Sequence, residues 1–585
     1  MINSNLNSVA GNVRSYDLGN QPFKHDVGRG KWDTIWDFYA VALSHCLGFR
    51  HLTLFFLISK SNVVGIFLSY LLGLFILVLP LYYMQMFLGQ FSSSGLISAF
   101  RIAPLFKVIG YVSLFLNIMT CTYLMVSAAF PLSIVFDSIQ SELPWTHCNN
   151  SYNTHKCSLQ VNDTNDIETT FPIDEYFDHI TGRTISNGYD GPFLWRIILC
   201  TLLVWLLIGG ILSKGAEMFG KIFRFTTTIM LSCFLLTLIR MLCVEESWTV
   251  LKNFIMHLPQ QYYMENILNS PILIISAFGA GWGNILTIAS YNNFKENIGK
   301  LSIVACSLQM IIFLLTIFQY EAADRYLYKR YRYFYLFFNF HDPIAFVVIT
   351  FALYFSHFNW PHLWTFLFFM SIFLAQLSDG VIQVFTILTA IFDEYESTRI
   401  YKRTIQGTFI GIFGIISMLF CSNKGFSSLT ALYITGCSER LIIILFELII
   451  VLWIYGRLRF QRDVKFMTGK IFENWKIWMM RFLTPILIIF ALGRYLYHLT
   501  YFSRYFIITD YSTFIIIKVV AFTLFIFCYF IYKIYSSTGN ILNRIKKLCQ
   551  PNDWYPVDLP EHRIYNIYFS DSDVNGSLIV EEADK

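Results

Sequence analysis

Three ionisable side chains crowd one short apolar stretch, LSHCLGFRHLTLFF at residues 43–56: His45, Arg50 and His51. A charge inside a hydrophobic segment is costly and marks function by default. A second such group is Asp379 in AQLSDGV (375–381), next to Ser378. Asp379 in an apolar run needs a partner, for which Na+, a proton or Arg50 would serve; a polar pair packing two helices is the alternative. A third feature is SAFGAGWGN (276–284), with Gly279, Gly281 and Gly283 inside one apolar segment. Each glycine costs a helix about 1 kcal/mol relative to Ala, so three together predict a break. Unpaired backbone at membrane depth survives only where it lines a cavity or is buried in protein.

The elements that carry these residues are read from composition and hydropathy. The chain is 55% hydrophobic and only 14% charged, with a mean hydropathy of +0.52, too apolar for a soluble surface. Its 58 Phe and 35 Tyr suit helices facing lipid. The net charge of +5 is spread along the chain, which speaks against a nucleic-acid partner. The first twenty residues are polar and lack the apolar core of a cleavable signal peptide, so the first membrane helix is expected to direct insertion. No P-loop, no His/Cys metal spacing and no nucleophile elbow is found, which argues against an enzyme.

A spanning helix needs about 20 apolar residues. Twelve segments qualify as expected spans: 36–58, 62–90, 107–138, 192–213, 219–243, 271–291, 300–321, 362–390, 404–421, 428–455, 478–498 and 514–535. PIAFVVITF (344–352) is too short to cross and is assigned to an outer loop. The expected organisation is a cytoplasmic segment 1–35, a transporter-like domain 36–535 with a large outer loop 140–191, and a cytoplasmic tail 536–585. Basic residues set the orientation. Lys24, Arg29 and Lys31, then Lys214, Lys221 and Arg224, then Arg457, Arg459 and Arg462 mark the inside; Glu142, Asp163, Asp174 and Glu175 lie outside. The basic stretch DRYLYKRYRYF (324–334) runs against this pattern but belongs to a long loop. Sequons at Asn149 and Asn162, beside Cys148 and Cys157, agree with an outer, oxidising location where the two cysteines pair.

Segment one shows a weaker irregularity at Leu47-Gly48-Phe49. Two interrupted helices at corresponding positions of two halves point to a transporter with a midplane site; close packing through small residues explains the glycines alone equally well.

At this point a family becomes recognisable. RGKWDTIWDF, LPLYYMQMFLGQFSSSG (79–95), ELPWTHCNN, SAFGAGWGNILTIASYNNF, ALYITGCSERLIIILFELIIVLWIYGRLRF and PNDWYP (551–556) resemble, in order, motifs of the neurotransmitter:sodium symporter family (solute carrier 6), over roughly residues 29–557. The resemblance implies an all-α polytopic fold of twelve helices, an inverted five-helix repeat and broken helices one and six. It implies a plasma-membrane carrier with both termini cytoplasmic, moving an amino acid or a neurotransmitter-like solute with Na+ and often Cl−.

Carried over residue by residue, the inner gate corresponds to Arg29, Trp32, Tyr291 and Asp393. The outer gate is absent: Thr53 and Tyr433 stand where the family has Arg and Asp. The first sodium site is eroded, with Arg50 or His51, Ala277 and Gln309 in place of its oxygen donors. Arg50 is thus a candidate substitute for an ion. The chloride site keeps Tyr70 but has Ala277 for its hydroxyl, so Cl− is doubtful. The second sodium site is half kept: Ser378 and Asp379 stand in inverted order, with Ala375 adding a backbone oxygen, and Na+ is expected there alone. The helix-one position that meets an amine is Leu47 or Gly48, which argues against a monoamine. Tyr123, beside Leu124 at the family's helix-three tyrosine, is a weak candidate, and Ser276 and Gly279 complete the substrate positions. Two readings follow: a secondary carrier with altered Na+/Cl− coupling, or a non-transporting relative acting as a binding partner or sensor. Neither the substrate, the ion stoichiometry nor the oligomeric state is legible.

Overall fold

The structure is a computed structural model. It describes residues 27–47, 63–159, 170–182, 193–245, 247–248, 275, 278–331, 343–422, 425, 428, 439–505, 509–551, 554–558 and 560–565. The fold is all-α: among the described residues the only strand-like pairings are two isolated bridges, Cys157 with Thr170 and Phe193 with Ser422. Eight described helices are long and apolar enough to cross a membrane, and Val520–Ser536 with Ile541–Cys549 forms a ninth candidate bent by 110°. These correspond to segments two, three, four, five, seven, eight, ten, eleven and twelve. Segments one and six, where the sequence places breaks, lie partly outside the described residues.

Several helices outrun their apolar cores. Segment seven is Ile298–Arg330 rather than 300–321, so the basic stretch begins as helix. Hydropathy marks where lipid ends, whereas the backbone continues while i→i−4 bonds and packing allow. Segment eight runs Pro361–Glu394, with Pro at its first turn, where a missing N–H costs nothing. The 344–352 run lies in a 14-residue helix, Pro343–Ser356, packed against segment eight and the outer-loop helix Pro172–Thr181. Ser356 accepts a bond from Trp145 Nε1 at 2.9 Å, which ties that helix to the start of the large loop. Cys148 and Cys157 are joined in a disulfide, and Asn149 is exposed between them; Asn162 lies outside the described residues.

Segment eight is the spine. It lies along segments three and five and also contacts the segment-one helix, Ile35–Cys46. The inner half of segment six, Asn284–Ala289, packs on Leu79–Ser92 of segment two. That approach is close because of Gly89: a Cβ there would stand 2.0 Å from the Leu286 carbonyl oxygen. The PNDWYP region packs against the ends of segments two and ten. Trp554 stacks on Phe91 at 5.1 Å and donates to Asp463 at 3.1 Å, and Tyr565 donates to the same carboxylate at 3.1 Å.

Candidate functional site

Segment one enters through Thr34, whose N–H is accepted by Asp37 at 3.0 Å in a capping arrangement. Its helix ends at Cys46, and Leu47 turns back to bond Ser44 O at 3.3 Å. Gly48, Arg50, His51 and Thr53 lie outside the described residues, as do Ser276, Ala277 and Tyr433. Segment six breaks over Gly279, Gly281 and Gly283, with φ of +63°, +76° and +71°. All three are left-handed, a conformation Gly adopts without the Cβ clash. Helix resumes at Asn284.

The four inner-gate residues meet. Arg29 Nη1 is 2.9 Å from Asp393 Oδ2, and the two side chains are only 5% and 2% exposed. Arg29 also donates to Ser93 O at 2.6 Å and to the Ser290 hydroxyl, and its guanidinium lies 4.1 Å over the Tyr291 ring. Asp393 Oδ2 accepts the Gly95 N–H at 2.6 Å. Trp32 covers the pair: its N–H bonds Tyr291 O at 3.0 Å, its indole bonds Ile288 O at 3.0 Å, and its ring packs 5.4 Å from Tyr291. A buried ion pair is tolerable only when further hydrogen bonds satisfy both partners. Ser93, whose carbonyl Arg29 reads, has φ +43°, a strained setting for a non-glycine residue. The four residues thus form one buried, solvent-sealed cluster.

Asp379 also has a partner, and it is His45. Nδ1 stands 2.9 Å from Oδ1, with side-chain exposures of 0% and 2%. Asn284 Nδ2 lies 3.5 Å from the same ring nitrogen and donates to Gln383 Oε1 at 2.9 Å. Gln383 in turn reaches Asn117 O at 3.4 Å, and Asn117 donates to Trp282 O at 2.8 Å, inside the segment-six break. Thr120, one turn along segment three from Asn117, accepts from Arg440 at 3.3 Å, and Arg440 lies 4.2 Å over Trp282. A buried polar line thus runs from segment one through eight, six and three to ten. Each link answers the requirement that buried polar groups be bonded.

The other candidates take plainer places. Leu47 and Ala375 are buried in one apolar cluster with Leu43, Met230 and Ile312. Gly279 is buried at the break and Ser378 is buried on segment eight. Tyr123 is buried, but the described side-chain bond from segment three to the break comes from Asn117. Tyr70 is buried and stacks on Phe313 at 3.8 Å. Gln85, where the family motif has Glu, donates to Glu447 of segment ten at 2.7 Å. Sequence reasoning missed Asn117, Asn284, Gln383 and Arg440. Their signal was one polar side chain each inside an apolar run.

A helix broken at Gly279–Gly283 beside a buried polar line, among long apolar helices, fits a polytopic membrane protein. The profile of the sodium:neurotransmitter symporter family matches residues 29–537, and the chain belongs to that family. It is 24% identical to the sodium- and chloride-dependent glycine transporter 2 of Xenopus laevis, over 93% of this chain and 74% of the relative. It is 25% identical to the human sodium- and chloride-dependent neutral and basic amino acid transporter B(0+), over 95% and 93%. It is 23% identical to the bovine sodium-dependent dopamine transporter, over 79% and 68%. Such identities mark a divergent member of a family of solute carriers, not enzymes.

Proposed function

We propose that this protein is a secondary active carrier of an amino acid or a related small solute, working by alternating access in the plasma membrane with both termini cytoplasmic. The observation that carries this reading is the assembled inner gate: Arg29–Asp393, sealed by Trp32 and Tyr291 beneath a broken segment six. A non-transporting relative has no need for a buried ion pair that must open. The names of the relatives, glycine and neutral and basic amino acid transporters, support the substrate class. The absence of an acid at Leu47 argues against an amine as the primary contact. Arg440 over Trp282 adds a guanidinium near the break, suited to a carboxylate.

Coupling is altered in this reading. The relatives depend on sodium and chloride by name, but this chain lacks the family's first-site donors, and Cl− retains only Tyr70. For the second site, Ser378, Asp379 and Ala375 are the family's positions, yet their surroundings fit Na+ poorly. Asp379 Oδ1 is engaged by His45 and Ala375 is packed among Leu43 and Leu47. Uptake of a labelled amino-acid panel into cells expressing the chain, with Na+ or choline outside, tests the reading. Saturable uptake of at least one solute is expected. Surface delivery without uptake or current for any solute sinks it in favour of the binding or sensing role.

A further inference from the structure

We propose that His45 is the resident partner of Asp379 and that the seat between segments one and eight takes no sodium. The inference deepens the reading of altered coupling and rests on it. Sodium is held by oxygens that present lone pairs from several sides. Asp379 is the one side-chain anion that the family's second-site positions offer here, and its Oδ1 faces an imidazole nitrogen at 2.9 Å. A carboxylate only accepts, so Nδ1 presents its N–H to it, whether the ring is neutral or charged. A cation admitted beside that N–H would meet a donor rather than a ligand. Asn284 Nδ2 lies 3.5 Å from the same nitrogen as a second donor, and it is spent on Gln383 Oε1 at 2.9 Å. Ala375, the backbone donor of the set, sits in the cluster of Leu43, Leu47, Met230 and Ile312, whose side chains offer a cation nothing. His45 thus does for segments one and eight what a bound ion would do. It bridges them with an electrostatic contact of fixed geometry.

The test uses the purified full-length chain and its thermal unfolding midpoint, with NaCl titrated against choline chloride at constant ionic strength. The wild type is expected to show a midpoint independent of the cation. His45→Ala removes the N–H and opens room beside the carboxylate. Its midpoint should rise saturably with Na+ by several degrees, because a ligand that binds only the folded state stabilises it. His45→Ala/Asp379→Asn should be flat again. A wild-type response to Na+ that disappears in Asp379→Asn overturns the proposal, as does a folded His45→Ala that ignores Na+. A wild-type response that survives Asp379→Asn locates sodium elsewhere and upholds it. Should His45→Ala fail to fold, the wild type and Asp379→Asn decide alone, with Ser378→Ala in place of the latter if needed. Transport is read separately. A wild type that carries no solute yet follows this pattern sinks the carrier reading and keeps the inference. A wild type that transports with sodium coupled through Asp379 does the reverse.

Discussion

A buried ion pair and a buried histidine–carboxylate contact join the segment-one stretch of the chain to segment eight. Arg29 meets Asp393 at its cytoplasmic end, and His45 meets Asp379 at its middle. The two aspartates lie on one helix, about 21 Å apart at 1.5 Å per residue and close to the same face. Both contacts are 2.9 Å long and both are sealed from solvent. Their surroundings differ. The gate pair is capped by backbone groups of loops, Ser93 O and Gly95 N–H, and by aromatic rings that can swing away. The central pair is held by side chains of rigid helices and continues into the line through Asn284, Gln383 and Asn117. We propose that the first opens and that the second holds the two helices in register.

The largest expected effect breaks the gate. Asp393→Asn removes the counter-charge that Asp393 gives buried Arg29, a loss of about 3–5 kcal/mol in comparable pairs. The cytoplasmic path should open. A cysteine placed at Thr389, beside Tyr291, should react with an impermeant thiol reagent from the inside at least about tenfold faster, each 1.4 kcal/mol being tenfold. Uptake should be lost. An unchanged reaction rate would mean that the pair is only a strut, and the contrast with the centre would vanish.

Next is the floor under the gate. Gly89→Ala drives a methyl into the Leu286 carbonyl, on the half-helix that carries Ser290 and Tyr291. Overpacking of this kind costs about 1–3 kcal/mol. Lower thermal stability is expected together with raised reactivity at the Thr389 cysteine. Lower stability with normal reactivity would separate packing from gating.

The central pair comes third. A double-mutant cycle of His45→Asn and Asp379→Asn should return a coupling of about 0.5–3 kcal/mol in thermal stability, with no rise in reactivity at Thr389. A coupling near zero would make the contact incidental. A rise in reactivity would make the centre part of the gate and merge the two regions.

The contrast also explains what could be read in advance. Arg29, Trp32, Tyr291 and Asp393 were legible through the resemblance to the family, whose motifs cover the helix ends on which they lie. The Gly279–Gly283 break was legible for a similar reason: local helix propensity fails there whatever surrounds it. His45 and Asp379 are 334 residues apart, and nothing local pairs them. The sequence showed an acid in need of a partner and offered Na+, a proton or Arg50; the described partner stands one turn before Arg50, on the last turn of the segment-one helix. The extension of segment seven to Arg330 was hidden because hydropathy reports lipid, not hydrogen bonding.

The smallest effect comes from the outer loop, where electrostatics serve folding alone and set a baseline for both pairs. Burial and the neighbouring Asp178 push Asp174 of the outer helix up to about 7. Burial also pushes its neighbour Glu175 up, but bonds from Thr154, Thr170 and Asn153 outweigh it and leave Glu175 below the usual range. The signs are opposite. A raised carboxyl contributes stability that is complete below its unfolded value near 4 and is lost as pH rises towards 7; a lowered one contributes above its unfolded value and is lost as pH falls through its folded value. Asp174→Asn fixes the neutral form. It should match the wild type below about pH 4 and protect the Pro172–Thr181 amides severalfold better at pH 8, by hydrogen exchange. The gate reaction at Thr389 should not change between the two. Protection that is equal at both pH values would remove the charge from Asp174. A pH-dependent change at the gate would show that the outer loop is coupled to segment eight, through the Pro343–Ser356 helix that packs on both.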